Sequence, residues 1–115
     1  MDRQIVKVFR ALADPNRLRI VKMLEQRELC VCEVREVLAL SNSTVSKHLS
    51  ILHDAGLVTQ TKEARWVNYS LNVKSESQFV RAIISALKSS LLDDETVLKD
   101  TKSVDRVDRN KICRV

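Results

Sequence analysis

The chain has 115 residues, 44% of them hydrophobic, which suits one domain with a modest core and leaves apolar surface for a partner chain to cover. Its net charge of +5, with 30% charged residues, fits a polyanionic partner. Three cysteines, no leader-like start and no apolar run near 18 residues argue against a membrane or secreted protein. They point to the reducing cytosol, where close cysteines more often bind metal or do redox chemistry than form structural disulfides.

Taken in chain order, "QIVKVFRALA" (4–13) sets Ile5, Val8, Phe9 and Leu12 on one helical face. Asp14 reads as the N-cap of a second helix, with Pro15 at its first position and Leu18, Ile20, Val21 and Leu24 as its apolar residues. In "ELCVCEVREVLAL" (28–40), Cys30 and Cys32 stand one residue apart at the start of a short third helix, which Val34, Val37 and Leu38 support. "SNST" (41–44) then caps a fourth helix, where Val45, Leu49 and Leu52 recur at i, i+4 and i+7. The only glycine, Gly56, stands where a left-handed C-cap would end that helix.

At about 100° per residue, the face opposite Val45 and Leu49 carries Ser43, Lys47, Ser50 and Asp54, flanked by Thr44 and Ser46. Short polar side chains around one cation fit the second helix of a helix-turn-helix, or simply a solvated surface helix. The next segment favours the first reading. "LVTQT" and "RWVNYSL" are β-prone runs joined by Lys62, Glu63 and Ala64, and Val67, Tyr69 and Leu71 alternate with Trp66, Asn68 and Ser70. A hairpin directly after such a helix makes a winged helix-turn-helix, with Lys62 and Arg65 near the tip where phosphates could be met. The tip lacks glycine or asparagine, which leaves its turn type open. Trp66 and Tyr69 are expected to pack against the core rather than stack on bases.

Residues 76–92 carry Phe79, Val80, Ile83, Ile84, Leu87 and Leu91, a broad apolar stripe on a helix. With the first helix it predicts a twofold dimer through Val8, Phe9, Val80, Ile83, Ile84 and Leu87. Such a dimer spaces two reading helices about 34 Å apart, or a multiple, and calls for an imperfect inverted repeat in double-stranded DNA. Residues 93–112, rich in Asp, Lys, Thr and Ser, read as a mobile tail leading to Cys113. The expected fold is mainly α with a β-hairpin wing (α+β): residues 1–92 form the DNA-binding and dimerisation domain and 93–115 the tail.

Four blocks, "ALADPNRLRIVKML", "ELCVCEV", "STVSKHLSILHDAGLV" and "RWVNYSL", resemble in order and spacing the ArsR/SmtB family of small metal-responsive bacterial repressors, over roughly residues 4 to 91. The resemblance implies a cytoplasmic, dimeric winged-helix repressor that sits on its own operon's operator and leaves when a metal or metalloid ion binds. "ELCVCEV" resembles the branch that senses As(III) or Sb(III) through thiols at the start of the third helix, or its relative that senses cadmium and lead. That branch often carries a third cysteine where this chain has Arg35, so a third sulfur must come from Cys113, from a small thiol such as glutathione, or from nowhere. The cadmium and lead branch adds cysteines in an N-terminal extension that this chain lacks, which favours arsenite or antimonite. Members binding zinc between the last helices use paired Asp and His, and residues 76–92 contain no His.

Side-chain geometry adds an expectation of its own. In a regular helix, residues i and i+2 point about 200° apart, so Cys30 and Cys32 cannot grip one ion while both are helical. Binding is therefore expected to unwind the helix start beside the reading helix. Thiolates select soft ions, and the absence of any neighbouring His argues against a mixed zinc site. Three alternatives remain: two small buried hydrophobes, a thiol-redox switch on the same fold, and a thiol metal carrier or oxidoreductase that binds no DNA. Of the two histidines, His48 lies at the edge of the buried face, fitting a packing or phosphate-contacting role, and His53 is the other. No Ser/His/Asp set, pocketed carboxylate pair or Gly-rich phosphate loop appears, so no enzyme is expected.

Overall fold

Acidic caps start the first two helices. The Asp2 carboxylate accepts the N–H of Gln4 at 2.9 Å to begin α1 (Arg3–Leu12). Asp14 accepts from Asn16 and Arg17, at 2.9 and 3.1 Å, to begin α2 (Pro15–Leu24), with Pro15 in the first turn where its missing N–H costs nothing. The structure, a computed structural model, describes residues 2–112; Cys113 lies outside them.

A two-residue strand, β1 (Leu29–Cys30), leads into α3 (Val31–Leu38). Ala39 turns left-handed at φ 56° to end α3, and Ser41 caps α4 (Asn42–Asp54) by accepting the N–H of Thr44 at 3.2 Å. Gly56, at φ 82°, takes the left-handed position expected of it, and β2 (Val58–Glu63) and β3 (Trp66–Leu71) follow as an antiparallel hairpin. β1 pairs with the other edge of β3, Leu29 opposite Tyr69 and Cys30 opposite Asn68, so the strand order is β1-β3-β2. Helices α5 (Gln78–Lys88), α6 (Glu95–Arg106) and α7 (Arg109–Ile112) complete the described chain.

The core fills as the periodicity predicts. Val45, Leu49 and Leu52 of α4 are wholly buried with Val8, Ile20, Val21, Val34, Leu57 and Val80. A helix–turn–helix pair, α3 and α4, followed by the α4–β2–β3 wing, makes this a winged helix-turn-helix, mainly helical with a small antiparallel sheet. Among the described residues no helix is long and apolar enough to cross a membrane.

Two elements differ from expectation. The segment read as a mobile tail forms α6, packed on α2 and α3, and then α7. Its docking is largely polar. Arg19 grips Asp100 with two bonds, at 2.8 and 2.9 Å, Gln26 reaches Thr101 and Asp105, and Arg27 covers the carbonyls of Val104 and Val107. Only Val104 is fully apolar and buried on that helix, too little to show as a stripe in the sequence. In the wing, Lys62 and Glu63 belong to β2, and the connecting loop is Ala64 and Arg65. Positive φ at Ala64 alone, 54°, is the sign pattern of a type II′ turn, a position that favours glycine.

These left-handed positions are testable. Gly56→Ala should cost about 1–2 kcal/mol, since a Cβ there adopts a left-handed φ and would meet the end of Gln4 at 2.9 Å. Ala39→Gly, at an exposed position already left-handed, should change stability in the opposite direction by up to about 1 kcal/mol. Urea melts of both variants beside the parent read the two signs directly.

Candidate functional site

Cys30 is the last residue of β1 and the N-cap of α3, with extended backbone at φ −92° and ψ 170°, while Cys32 lies inside the first turn. Their sulfurs stand 3.9 Å apart. The expectation that both cysteines are helical and face apart is thereby corrected: the helix begins one residue after Cys30, so no unwinding is needed to bring the two sulfurs together. An ion about 2.3 Å from each sulfur would see them at roughly 115°, within the reach of one bridging ion.

Glu33 fixes this geometry. Its buried carboxylate accepts the Cys30 N–H at 3.0 Å through one oxygen and Arg27 at 3.0 Å through the other. Cys30 itself is 2% exposed, and burial pushes its thiol above the ordinary pKa; the N–H of Glu33 pulls the other way, and the Glu33 carboxylate adds to the rise. Around the pair lie Trp66 and Ile112, a small cluster separate from the main core. Among the described residues no group of three or more His, Cys, Asp or Glu is arranged to hold a metal. The candidate third ligand, Cys113, falls outside those residues.

The residues expected to meet DNA are all on the surface. Ser43, Thr44, Ser46, Lys47 and Ser50 are exposed along one side of α4, and Lys62 and Arg65 are exposed on the wing. The hydroxyls of Ser43 and Thr44 lie 3.2 and 2.9 Å from Ser41 Oγ, ordering the first turn of that face. His48 is half-buried with its Nδ1 3.3 Å from Arg17, which also donates to the carbonyls of Ala11 and Arg10, so it packs rather than projects.

The predicted dimerisation set divides. Val8 and Val80 are fully buried and Ile84 nearly so, all three packed inside the chain as members of its main apolar core. Phe9 remains 56% exposed and meets the Phe79 ring edge-on at 5.6 Å, with Ile83 and Leu87 half-buried on the same helix as Phe79. On these two helices, Phe9, Phe79, Ile83 and Leu87 therefore keep part of their apolar surface accessible.

Trp66 packs inward as expected, while Asn68 and Arg109 were not foreseen in these places. Trp66 and Asn68 share the buried side of β3 beside β1, and Val67 is exposed. Arg109 of α7 donates to Asn68 at 2.9 Å and Glu63 at 2.8 Å, and its guanidinium lies 5.0 Å from the Trp66 ring centre. Arg65 lies 4.8 Å from the same ring. The alternation in "RWVNYSL" paired Trp66 with Asn68, but nothing local indicated that a distant arginine would meet them.

Residues 14–60 match the family model described as "Bacterial regulatory protein, arsR family". Over 110 residues, 92% of this chain and 94% of the other, the chain is 30% identical to the arsenic resistance transcriptional regulator of Pseudomonas putida. The chain belongs to the arsR family. The family is one of regulatory proteins, not enzymes. The cadmium resistance transcriptional regulatory protein homolog of Staphylococcus aureus is 39% identical over 77 residues, 66% of this chain and 64% of that one. The chain spans about three fifths of the length of the first curated relatives it matches. Among solved structures, a homodimeric winged helix-turn-helix DNA-binding domain from Mycobacterium bovis, described as a possible ArsR-family regulator, superposes with a TM-score of 0.63. That match is at 26% identity and covers 74% of this chain and 75% of the other. The arsR-family segment runs from the cap of α2 into β2 and so contains both cysteines and the polar face of α4.

Replacing Glu33 by Ala should remove the bond that starts α3 and leave Arg27 without its carboxylate, costing about 1–2 kcal/mol. For a domain of this size the melting temperature should fall on the order of 5–10 °C. Calorimetry on Glu33→Ala and Glu33→Gln checks it, the Gln variant keeping the acceptor and losing less.

Proposed function

We propose that the chain is a metalloid-responsive transcriptional repressor that binds an imperfect inverted repeat as a homodimer and is released when As(III) or Sb(III) bridges Cys30 and Cys32. The observation that carries the reading is the pair of sulfurs 3.9 Å apart at the head of α3, the helix packed on α4. The exposed hydroxyls and Lys47 on α4 are of a length to meet base edges in a major groove, with Lys47 on a phosphate or a guanine edge and Lys62 and Arg65 on flanking phosphates. Phe9, Phe79, Ile83 and Leu87 supply an apolar seam for a second copy, which sets two reading helices a turn of DNA apart, about 34 Å. The named arsenic and cadmium relatives leave the ion open, and reaction balance separates the candidates. In the reducing cytosol, where glutathione holds both cysteines as thiols, arsenous acid exchanges two hydroxides for them: two As–O and two S–H bonds break, two As–S and two O–H bonds form and two waters leave, with no net proton released. A divalent cation binding the same thiols must expel two protons.

The deciding measurement is fluorescence anisotropy of labelled operator with arsenite, antimonite, cadmium, lead and zinc. The wild type should lose about fivefold or more in operator affinity on adding arsenite. Replacing both Cys30 and Cys32 by Ser should leave operator binding intact and abolish release; release that persists in the double variant sinks the assignment. Arsenite affinity should stay nearly level from about pH 6.5 to about pH 7.5, while affinity for a divalent cation should rise up to about tenfold per pH unit for each proton expelled. Release by peroxide alone would make oxidation of the thiols the signal instead.

Lys47→Ala and Arg65→Ala should each weaken operator binding, and a lost phosphate contact should flatten the salt dependence by about one unit of slope. Unchanged affinity at moderate salt in both variants would remove α4 and the wing from the interface.

A further inference from the structure

From the juxtaposition of α7, the wing and the sulfur pair, we infer that Arg109 is the positioning residue through which occupation of Cys30 and Cys32 reaches the wing. The inference rests on the metalloid-sensing reading and adds a route to it. With the sulfurs already converged, α3 has no need to unwind, and the signal requires another carrier. The packing around the pair offers one. Cys30 and Trp66 form a small cluster closed by Cys32 and by Ile112 of α7. Three residues before Ile112, Arg109 holds the wing at three places: Glu63 at the end of β2, Asn68 on β3, and the face of Trp66 at the start of β3.

The other side of the arrangement faces DNA. Arg65, the proposed phosphate contact in the wing loop, rests on the same Trp66 ring at 4.8 Å. One aromatic ring therefore touches the cysteine cluster and carries two guanidinium groups, one from α7 and one from the wing loop. α7 is a single turn, and a cleft of about 590 Å³ opens between the α6–α7 segment and the residues Arg27, Glu28, Glu33 and Asn68. The segment has room to shift when a bulky ion enters beside Ile112 and Trp66. Its displacement takes Arg109 away from Glu63 and Asn68 and lets the wing leave the angle at which Arg65 meets a phosphate. Arg109 itself need touch neither ion nor DNA.

The test uses the full chain with Arg109→Ala and Arg109→Lys. Trp66 is the only tryptophan, so its emission reports arsenite binding without DNA. Operator anisotropy with and without arsenite gives the coupling ratio, expected at about tenfold in the wild type. In Arg109→Ala, arsenite affinity should stay within about threefold of the wild type while the ratio falls below about threefold. Arg109→Lys should recover part of the ratio, because a lysine keeps the charge toward Glu63 but not the planar, two-pronged hold on Glu63 and Asn68. A purely structural role would lower the melting temperature and leave the ratio as it was, and a wild-type ratio in Arg109→Ala overturns the inference. A wild type whose Trp66 emission and operator affinity both ignore arsenite refutes the sensing reading itself, and the inference with it.

Discussion

The Glu33 carboxylate accepts the N–H of Cys30 at 3.0 Å, and that bond fixes where α3 begins. Because it closes the turn after Cys30 rather than before it, the first cysteine keeps extended backbone and pairs across the sheet with Asn68. The second cysteine is helical, and the change of conformation between them swings both sulfurs to one side. One hydrogen bond thus sets the separation of the two sulfurs and at the same time joins the helix-turn-helix to the wing through β1. Arg27 holds the other oxygen of Glu33, so the carboxylate is fixed from two directions and has little freedom to let the helix start drift.

The rest of the domain is tied to this region by cations of α2 and of the turn after it. Lys22 is buried, yet its ammonium donates to the carbonyls of Leu87 and Ser90 at the end of α5 and lies 2.8 Å from Glu25. A buried charge without such partners would be strongly destabilising, so these bonds are what permit a lysine there. Arg19 and Arg27 do the same for α6, through Asp100 and through the last carbonyls of the helix. Three positive side chains within nine residues therefore decide where the C-terminal helices sit. Apolar burial places α1 to α4, α5 adds the Lys22 bonds to its apolar contacts, and specific polar bonds dominate at α6.

That division explains what could be read from the sequence. Val45, Leu49 and Leu52, capped by Ser41 and ended at Gly56, announce α4 because periodicity, cap and glycine agree, and the exposed face follows from the buried one. β1 could not be read. Two residues carry no period, and Leu29 and Cys30 are strand only because β3 lies beside them. α6 was hidden because the face it turns inward reads Val97, Asp100, Thr101, Val104, half of it polar, and the partner that makes Asp100 acceptable inside is 81 residues away. The apolar patch proposed for a second copy was half legible: apolar spacing identified the two helices but not which of their residues point inward, which depends on packing angles between α1, α5 and the core. Val8 and Phe9 are adjacent in sequence and opposite in environment, buried and 56% exposed.

Magnitudes indicate which contact at the wing matters most. The linked-site response proposed here, about 1–3 kcal/mol, has to be drawn from bonds that differ between two arrangements. The ion pair of Arg109 with Glu63, whose carboxylate is largely in water, contributes under about 1 kcal/mol, and the guanidinium over Trp66 about 0.5–1 kcal/mol. The bond to Asn68 is of another kind, a charged donor to an amide that is 2% exposed, in the range of about 1.5–3 kcal/mol. It exceeds the other two, and it falls on the residue that faces Cys30 across the sheet. The strongest single hold on the wing and the first sulfur are therefore neighbours on one pair of strands. In the proposed route an ion at that sulfur displaces α7 through Ile112, and the loss is felt where Arg109 is anchored on the neighbouring Asn68.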